Sequence, residues 1–271
     1  MPARLSALDA SFLYLEQSTT PMHVGAVSVF RRPRSGFDYD GLVELIEQRI
    51  ALVPRYRQKV RSVPGNLARP VWVDDPDFDV AYHVRRSALP KPGSDAQLTE
   101  LVGRLMSRPL DHSRPLWEMY LVEGLAKGRT AVLTKTHQAM VDGISAFDIG
   151  QVILDVSAQP RQVADQLWMP RPEPGDLQLV LDAVGEAVAR PGTVLEIARE
   201  AAGDAVATAG KVVGAAAGLL SMVCTASRRA PGTPLNVPIS AARRFAIART
   251  ELADYRRIRA AHGCTVNDVV L

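Results

Sequence analysis

Leu116-Trp-Glu-Met-Tyr-Leu-Val-Glu123, then Gly124-Leu-Ala-Lys-Gly128, then Arg129-Thr-Ala-Val-Leu-Thr-Lys-Thr-His137, then Gln138-Ala-Met-Val-Asp-Gly143: this stretch decides the fold. Two runs rich in β-branched and aromatic residues flank five residues that include two glycines, which predicts an antiparallel hairpin. The segment from His137 to Gly143 reads as a short loop leaving the second strand. A helix is expected from Ile144 to about Val156, with Ile144, Phe147, Ile149, Val152 and Ile153 on its apolar side.

Working upstream, Met22 to Phe30 alternates partly through Val24, Val27 and Val29 and reads as a strand. Tyr39 to about Val53 places Leu42, Val43, Leu45, Ile46 and Ile50 at helical spacing, with Asp38 or Asp40 as N-cap and Pro54 as the stop. Pro70 to Asp74 reads as a short strand. Ser94 to Met106 reads as a helix capped by Ser94, apolar at Leu98, Leu101, Val102 and Leu105.

Downstream the character changes. Pro160, Pro170, Pro172 and Pro174 open a linker that continues as an Ala/Val/Gly-rich helical pattern, broken at Pro191-Gly192. Gly210, Gly214 and Gly218, four apart, would line one helix face with small residues. Two readings stay open for it, a packed linker helix or a lipid-facing one. After a second turn-rich patch ending at Pro238, Arg243 to Thr250 reads as a strand and Leu252 to His262 as a helix. Thr265 or Asn267 could cap a last short helix.

The 271 residues are 47% hydrophobic and 23% charged, which excludes a disordered or collagen-like chain. A net charge of +3 gives no nucleic-acid-binding field. Cys224 and Cys264 show no partner pattern, so neither a disulfide nor a zinc framework is expected and a reducing compartment fits. Asp9 interrupts any signal-peptide core, and Val212 to Ser227, the longest uncharged run, is short for a bilayer span. The expected location is cytoplasmic.

For chemistry, His137 and Asp142 stand out. Imidazole titrates near neutrality and suits general-base work, a nearby carboxylate can fix its tautomer or fix the loop, and Gly143 lets backbone approach closely. A buried, hydrogen-bonded structural histidine is the competing reading. His23, His83, His112 and His262 have no ligand-like spacing, and no metal site is expected.

Four ordered segments resemble the bacterial wax ester synthase/diacylglycerol acyltransferase family, part of the chloramphenicol-acetyltransferase-like and condensation-domain group. They are Leu5-Ser-Ala-Leu-Asp9 to Tyr14 with Thr20-Pro-Met-His-Val-Gly25, then Ser113-Arg-Pro-Leu-Trp117-Glu. Lys135-Thr-His-Gln-Ala-Met-Val-Asp-Gly143 is similar to the signature His-His-x-x-x-Asp-Gly, and Thr265-Val-Asn-Asp-Val-Val-Leu271 to the Asn-Asp segment. The resemblance implies an α/β, chloramphenicol-acetyltransferase-like half: a mixed, largely antiparallel sheet with flanking helices. The implied division is 1–156 as the N-terminal acyltransferase domain, 157–240 as a helical linker and 241–271 as the truncated start of a second half.

The implied activity is triacylglycerol formation from diacylglycerol and long-chain acyl-CoA, with wax ester formation from fatty alcohols alongside. Transfer would be direct, with acyl-CoA as a substrate and no cofactor. The implied catalytic residues are His137 and Asp142, and the implied substrate-binding residues Gln138 and Gly143. Gln138 stands where the family has its second histidine, the general base. Three readings follow: His137 serves as base, Gln138 only orients the alcohol and catalysis is slow, or the chain is inactive. Family enzymes are longer, so a complementary second-half polypeptide or self-association is expected to complete the channel. Peripheral membrane or lipid-droplet contact follows from the substrates. The rival class is a non-catalytic lipid-associated or partner-binding protein.

Overall fold

The computed structural model describes residues 2–31, 36–141, 155, 168–189, 237 and 239–270. In chain order the elements are β1 (Ala3–Arg4), α1 (Ala7–Leu15), β2 (His23–Arg31), α2 (Tyr39–Arg49), β3 (Gln58–Arg61), β4 (Val71–Asp74), α3 (Val80–His83) and β5 (Val84–Ala88). Then come α4 (Asp95–Met106), β6 (Trp117–Leu125), β7 (Arg129–His137), α5 (Gln138–Val141), α6 (Asp176–Ala189), α7 (Leu252–His262) and α8 (Val266–Val270).

The main sheet has the order β2-β7-β6-β5, antiparallel except for the parallel β5–β6 pair. Parallel neighbours need a crossover, and α4 supplies it. A second, antiparallel sheet has the order β1-β4-β3. The mixed, largely antiparallel α/β architecture is the one the family resemblance implies.

Strand alternation explains the layering. Met119 and Leu121 of β6 pack with Leu42, Ile46 and Ile50 from the α2 region. Tyr120 and Val122, pointing the other way, pack with Leu98, Leu101, Val102 and Leu105 of α4. β6 is thus buried on both faces, each fully buried leucine contributing about 2 kcal/mol. β7, at the centre, is buried from Thr130 to His137.

The helix caps follow the sequence. Asp38 accepts the Gly41 N–H at 3.0 Å to start α2, and Ser94 and Gln97 form a reciprocal capping box on α4. The C-terminal end of α4 is tied to β7: the buried Lys135 ammonium donates to the carbonyls of Leu105, at 3.3 Å, and Arg108. A cation on the last carbonyls of a helix satisfies groups that have no intrahelical partner. Thr265 and Asp268 make a capping box on α8.

Three expectations need correction. The hairpin turn is Ala126–Gly128 and not the five residues from Gly124; β6 runs on to Leu125 with a bulge after Val122, and Gly124 takes φ +78° there. The run after His137 is not a loop, since Gln138–Val141 is already helical. Arg243 to Thr250 forms no strand and pairs with none among the described residues. It is held against α4 instead, where the Arg243 N–H donates to Ser107 Oγ at 2.7 Å and Arg249 meets Asp95 at 2.8 Å.

Most of the expected helix after Gly143 and most of the linker, with Gly210, Gly214, Gly218 and Cys224, lie outside the described residues. Within the linker α6 is described, and it seats Leu179 and Ala183 against Val63, Val71 and Val73. Among the described residues no helix is long and apolar enough to cross a membrane.

Candidate active site

The site forms where β7 ends. His137 pairs across the sheet with His23, and its backbone N–H donates to the Leu116 carbonyl at 3.0 Å. The strand stops and α5 starts at once, leaving orphan N–H groups at the helix start. The His137 ring satisfies one of them: its Nδ1 accepts the Ala139 N–H at 3.1 Å. In a neutral imidazole one nitrogen accepts and the other carries the proton, so the hydrogen sits on Nε2.

The ring is 0% exposed, and burial pushes its pKa down to about 4, outweighing the opposing pull of Glu16; nearby His112 and His23 lower it further. Nε2 makes no hydrogen bond among the described residues and lies 3.5 Å from Glu16 Oε2.

Glu16 follows α1, its backbone N–H bonded to Phe12 O as the C-cap. Its Oε1 accepts the Met22 N–H at 3.0 Å, which fixes the carboxylate, and its Oε2 lies 2.6 Å from His112 Nε2. The rings of His112 and His137 meet edge-on, centroids 5.8 Å apart. His112 rides on the segment between α4 and β6, which Asp111 folds by accepting both the N–H (2.9 Å) and the hydroxyl (2.7 Å) of Ser113. The next residue in the motif, Gln138, is half-buried and donates its backbone N–H to Met22 O at 2.8 Å. Asp142 and Gly143 lie outside the described residues.

The neighbouring buried groups are structural. His23 Nε2 is 3.0 Å from Met106 O, and burial lowers its pKa, with Lys135 acting in the same direction. A Cβ on Gly25 would come within 2.7 Å of the Met106 sulfur, so the end of that flexible side chain would have to shift. His83 donates from Nδ1 to Trp117 O at 2.7 Å and stacks on the Trp117 ring, whose Nε1 donates to Tyr56 O at 2.8 Å. Burial also lowers the Lys135 pKa, with Glu118 pulling the other way.

Glu16, His112 and His137 offer donor atoms within 4.8 Å of one another, a cluster that sequence spacing does not disclose because its members are far apart in the chain. Two histidines and a glutamate match a zinc donor set in composition. The tautomer argues against it: metal-bound histidine donates its other N–H, whereas the far nitrogen of His137 accepts one, leaving the hydrogen on the atom that would bind metal.

The family profile described as wax ester synthase/diacylglycerol acyltransferase catalytic domain matches residues 5–270. A Mycobacterium tuberculosis protein named probable diacyglycerol O-acyltransferase tgs3 is 51% identical over 265 residues, covering 97% of this chain and 98% of the relative. Another from the same organism, named probable diacyglycerol O-acyltransferase tgs2, is 37% identical; 97% of this chain is covered but 56% of that protein. The solved structure of the wax ester synthase/diacylglycerol acyltransferase from Marinobacter aquaeolei VT8 superposes with a TM-score of 0.62 at 28% identity. It covers 99% of this chain and 58% of its own, so this chain spans a little over half of both longer relatives. The chain belongs to the wax ester synthase/diacylglycerol acyltransferase catalytic-domain family.

Proposed function

We propose that the chain is an O-acyltransferase that moves a long-chain acyl group from an acyl-CoA thioester to the free hydroxyl of diacylglycerol, giving triacylglycerol, with fatty alcohols as second acceptors. The observation that carries this reading is the unbroken family match over residues 5–270, joined to a relative of matching span named for that activity. In the step, the acceptor oxygen attacks the thioester carbonyl carbon, its proton passes to a base, the C–S bond breaks, and the proton ends on the released thiol. The acyl carrier is a substrate, and the step calls for no resident cofactor.

The proposed site is the motif from His137 to Gly143. His137, neutral and with its proton on Nε2, is a positioning residue that starts α5 and faces Glu16. That geometry supports orientation in place of the base role expected for it. Gln138 orients the acceptor hydroxyl as donor and acceptor, and Asp142 and Gly143 complete the motif. The divisions 1–156, 157–240 and 241–271 remain our proposed units.

Exposed Val24, Val29 and Phe30 on β2, and the exposed faces of α7 and α8, support a covering polypeptide, either a second-half chain or a second copy. Because the acceptor dissolves in lipid, contact with a membrane or droplet surface is part of the proposal. The test is incubation of the purified chain with long-chain acyl-CoA and diacylglycerol. Triacylglycerol formed in step with free thiol is the expected result; thiol released without ester, or neither product, contradicts it. Gln138 favours the second reading, a lipid-associated binding protein without turnover.

A further inference from the structure

We propose that His112, held by Glu16, is the general base of the acyl transfer. The inference rests on the acyltransferase reading and addresses the question that reading leaves, which group takes the acceptor's proton. Gln138 has no proton-accepting nitrogen near neutrality. On His137, Nδ1 is engaged by the Ala139 N–H, Nε2 carries the hydrogen, and the ring is wholly buried.

His112 has the opposite arrangement. Its Nε2 lies 2.6 Å from Glu16 Oε2, a charge-assisted contact that places the hydrogen on Nε2 and leaves the lone pair on Nδ1. Among the described residues Nδ1 has no hydrogen-bond partner, and the side chain is 47% exposed, so an acceptor can reach it. Glu16 is itself fixed by the Met22 N–H, and the backbone at His112 by the Asp111–Ser113 turn. A carboxylate holding one imidazole nitrogen while the other faces the reactant is the arrangement that activates an alcohol for acyl transfer.

The dyad also lies at the motif, its ring edge-on to His137, the residue preceding Gln138. In the step, His112 Nδ1 removes the acceptor's hydroxyl proton as the oxygen bonds to the thioester carbon. The imidazolium, stabilised by Glu16, then gives that proton to the departing thiolate, so base and carboxylate end as they began.

The experiment compares the purified chain with His112→Gln, Glu16→Gln, Gln138→His and the pair His112→Gln/Gln138→His, using long-chain acyl-CoA and diacylglycerol. His112→Gln is expected to lower kcat about 10²–10⁴-fold with KM within about 3-fold. Glu16→Gln lowers kcat less, because the imidazolium formed in the step loses its stabilising carboxylate. Gln138→His in the His112→Gln background restores turnover by supplying an imidazole one residue after His137.

A His112→Gln protein with the parent's kcat and pH profile overturns the dyad while leaving the acyltransferase reading intact. No turnover by the parent and by Gln138→His overturns that reading itself. Nitrogen NMR of labelled histidines gives a readout independent of activity: the dyad requires a protonated Nε2 and a bare Nδ1 on His112, and the reverse tautomer contradicts it.

Discussion

At the scale of single residues, the proposed site is governed by where hydrogens sit on three side chains. His137 gives its lone pair to a helix start, Glu16 gathers two imidazoles and a backbone N–H, and His112 is left with an open nitrogen. Burial has a consequence for stability. His137 titrates near 4 in the folded chain and near 6.5 when unfolded. Between those values the unfolded chain binds a proton that the folded one refuses, so stability is lost as pH falls through that window. Urea unfolding from pH 7 to pH 4 should show this fall, with a shallower slope for His137→Gln; an unchanged slope would count against the buried neutral ring. Because the cluster is read as a carboxylate-bridged histidine pair, a chelator should leave acyl transfer unchanged. Loss of turnover with chelator, restored by zinc, would reinstate the metal reading.

At the scale of elements, what holds the site is the stitching of α4 to the central strands. Lys135 ties its end to β7, and its start is reached through a tight approach in which a Cβ on Gly93, at φ +71°, would lie 1.9 Å from the Gly124 carbonyl oxygen. Gly93→Ala should therefore cost at least about 2 kcal/mol of stability, from the left-handed backbone and the backbone clash together. Ser94→Ala, which removes the capping box, should cost about 1 kcal/mol. Thermal or urea unfolding of the two variants checks both values and their order.

The hairpin and the helices α2 and α4 are legible in the sequence because long apolar patterns and capping residues coincide. The strands β1, β3 and β5 are not. Gln58-Lys-Val-Arg61 and Val84-Arg-Arg-Ser-Ala88 lie at sheet edges and carry charged residues on their open side, so no alternation marks them. The segment 243–250 shows the reverse failure, since its composition suits a strand but only pairing makes one. For the proposed site, His137 and Gln138 are legible from their motif. Glu16 and His112 are not, because only the folding of α1 and of the turn before β6 brings them to the end of β7.

At the scale of the whole molecule, the chain matches one relative nearly end to end and two others over little more than half their length. Its outward apolar side chains on β2 and α7 support a covering partner. If a partner supplies a second wall, adding the part of tgs2 that this chain does not span should raise kcat, and an equal rate with and without it would contradict that role. The most direct measurement of the central claim is single-turnover mixing of the purified chain with labelled long-chain acyl-CoA and diacylglycerol, following ester and thiol together. The account predicts triacylglycerol and thiol appearing in equal amounts and at one rate. Hydrolysis to free fatty acid, or no loss of thioester at all, would contradict it.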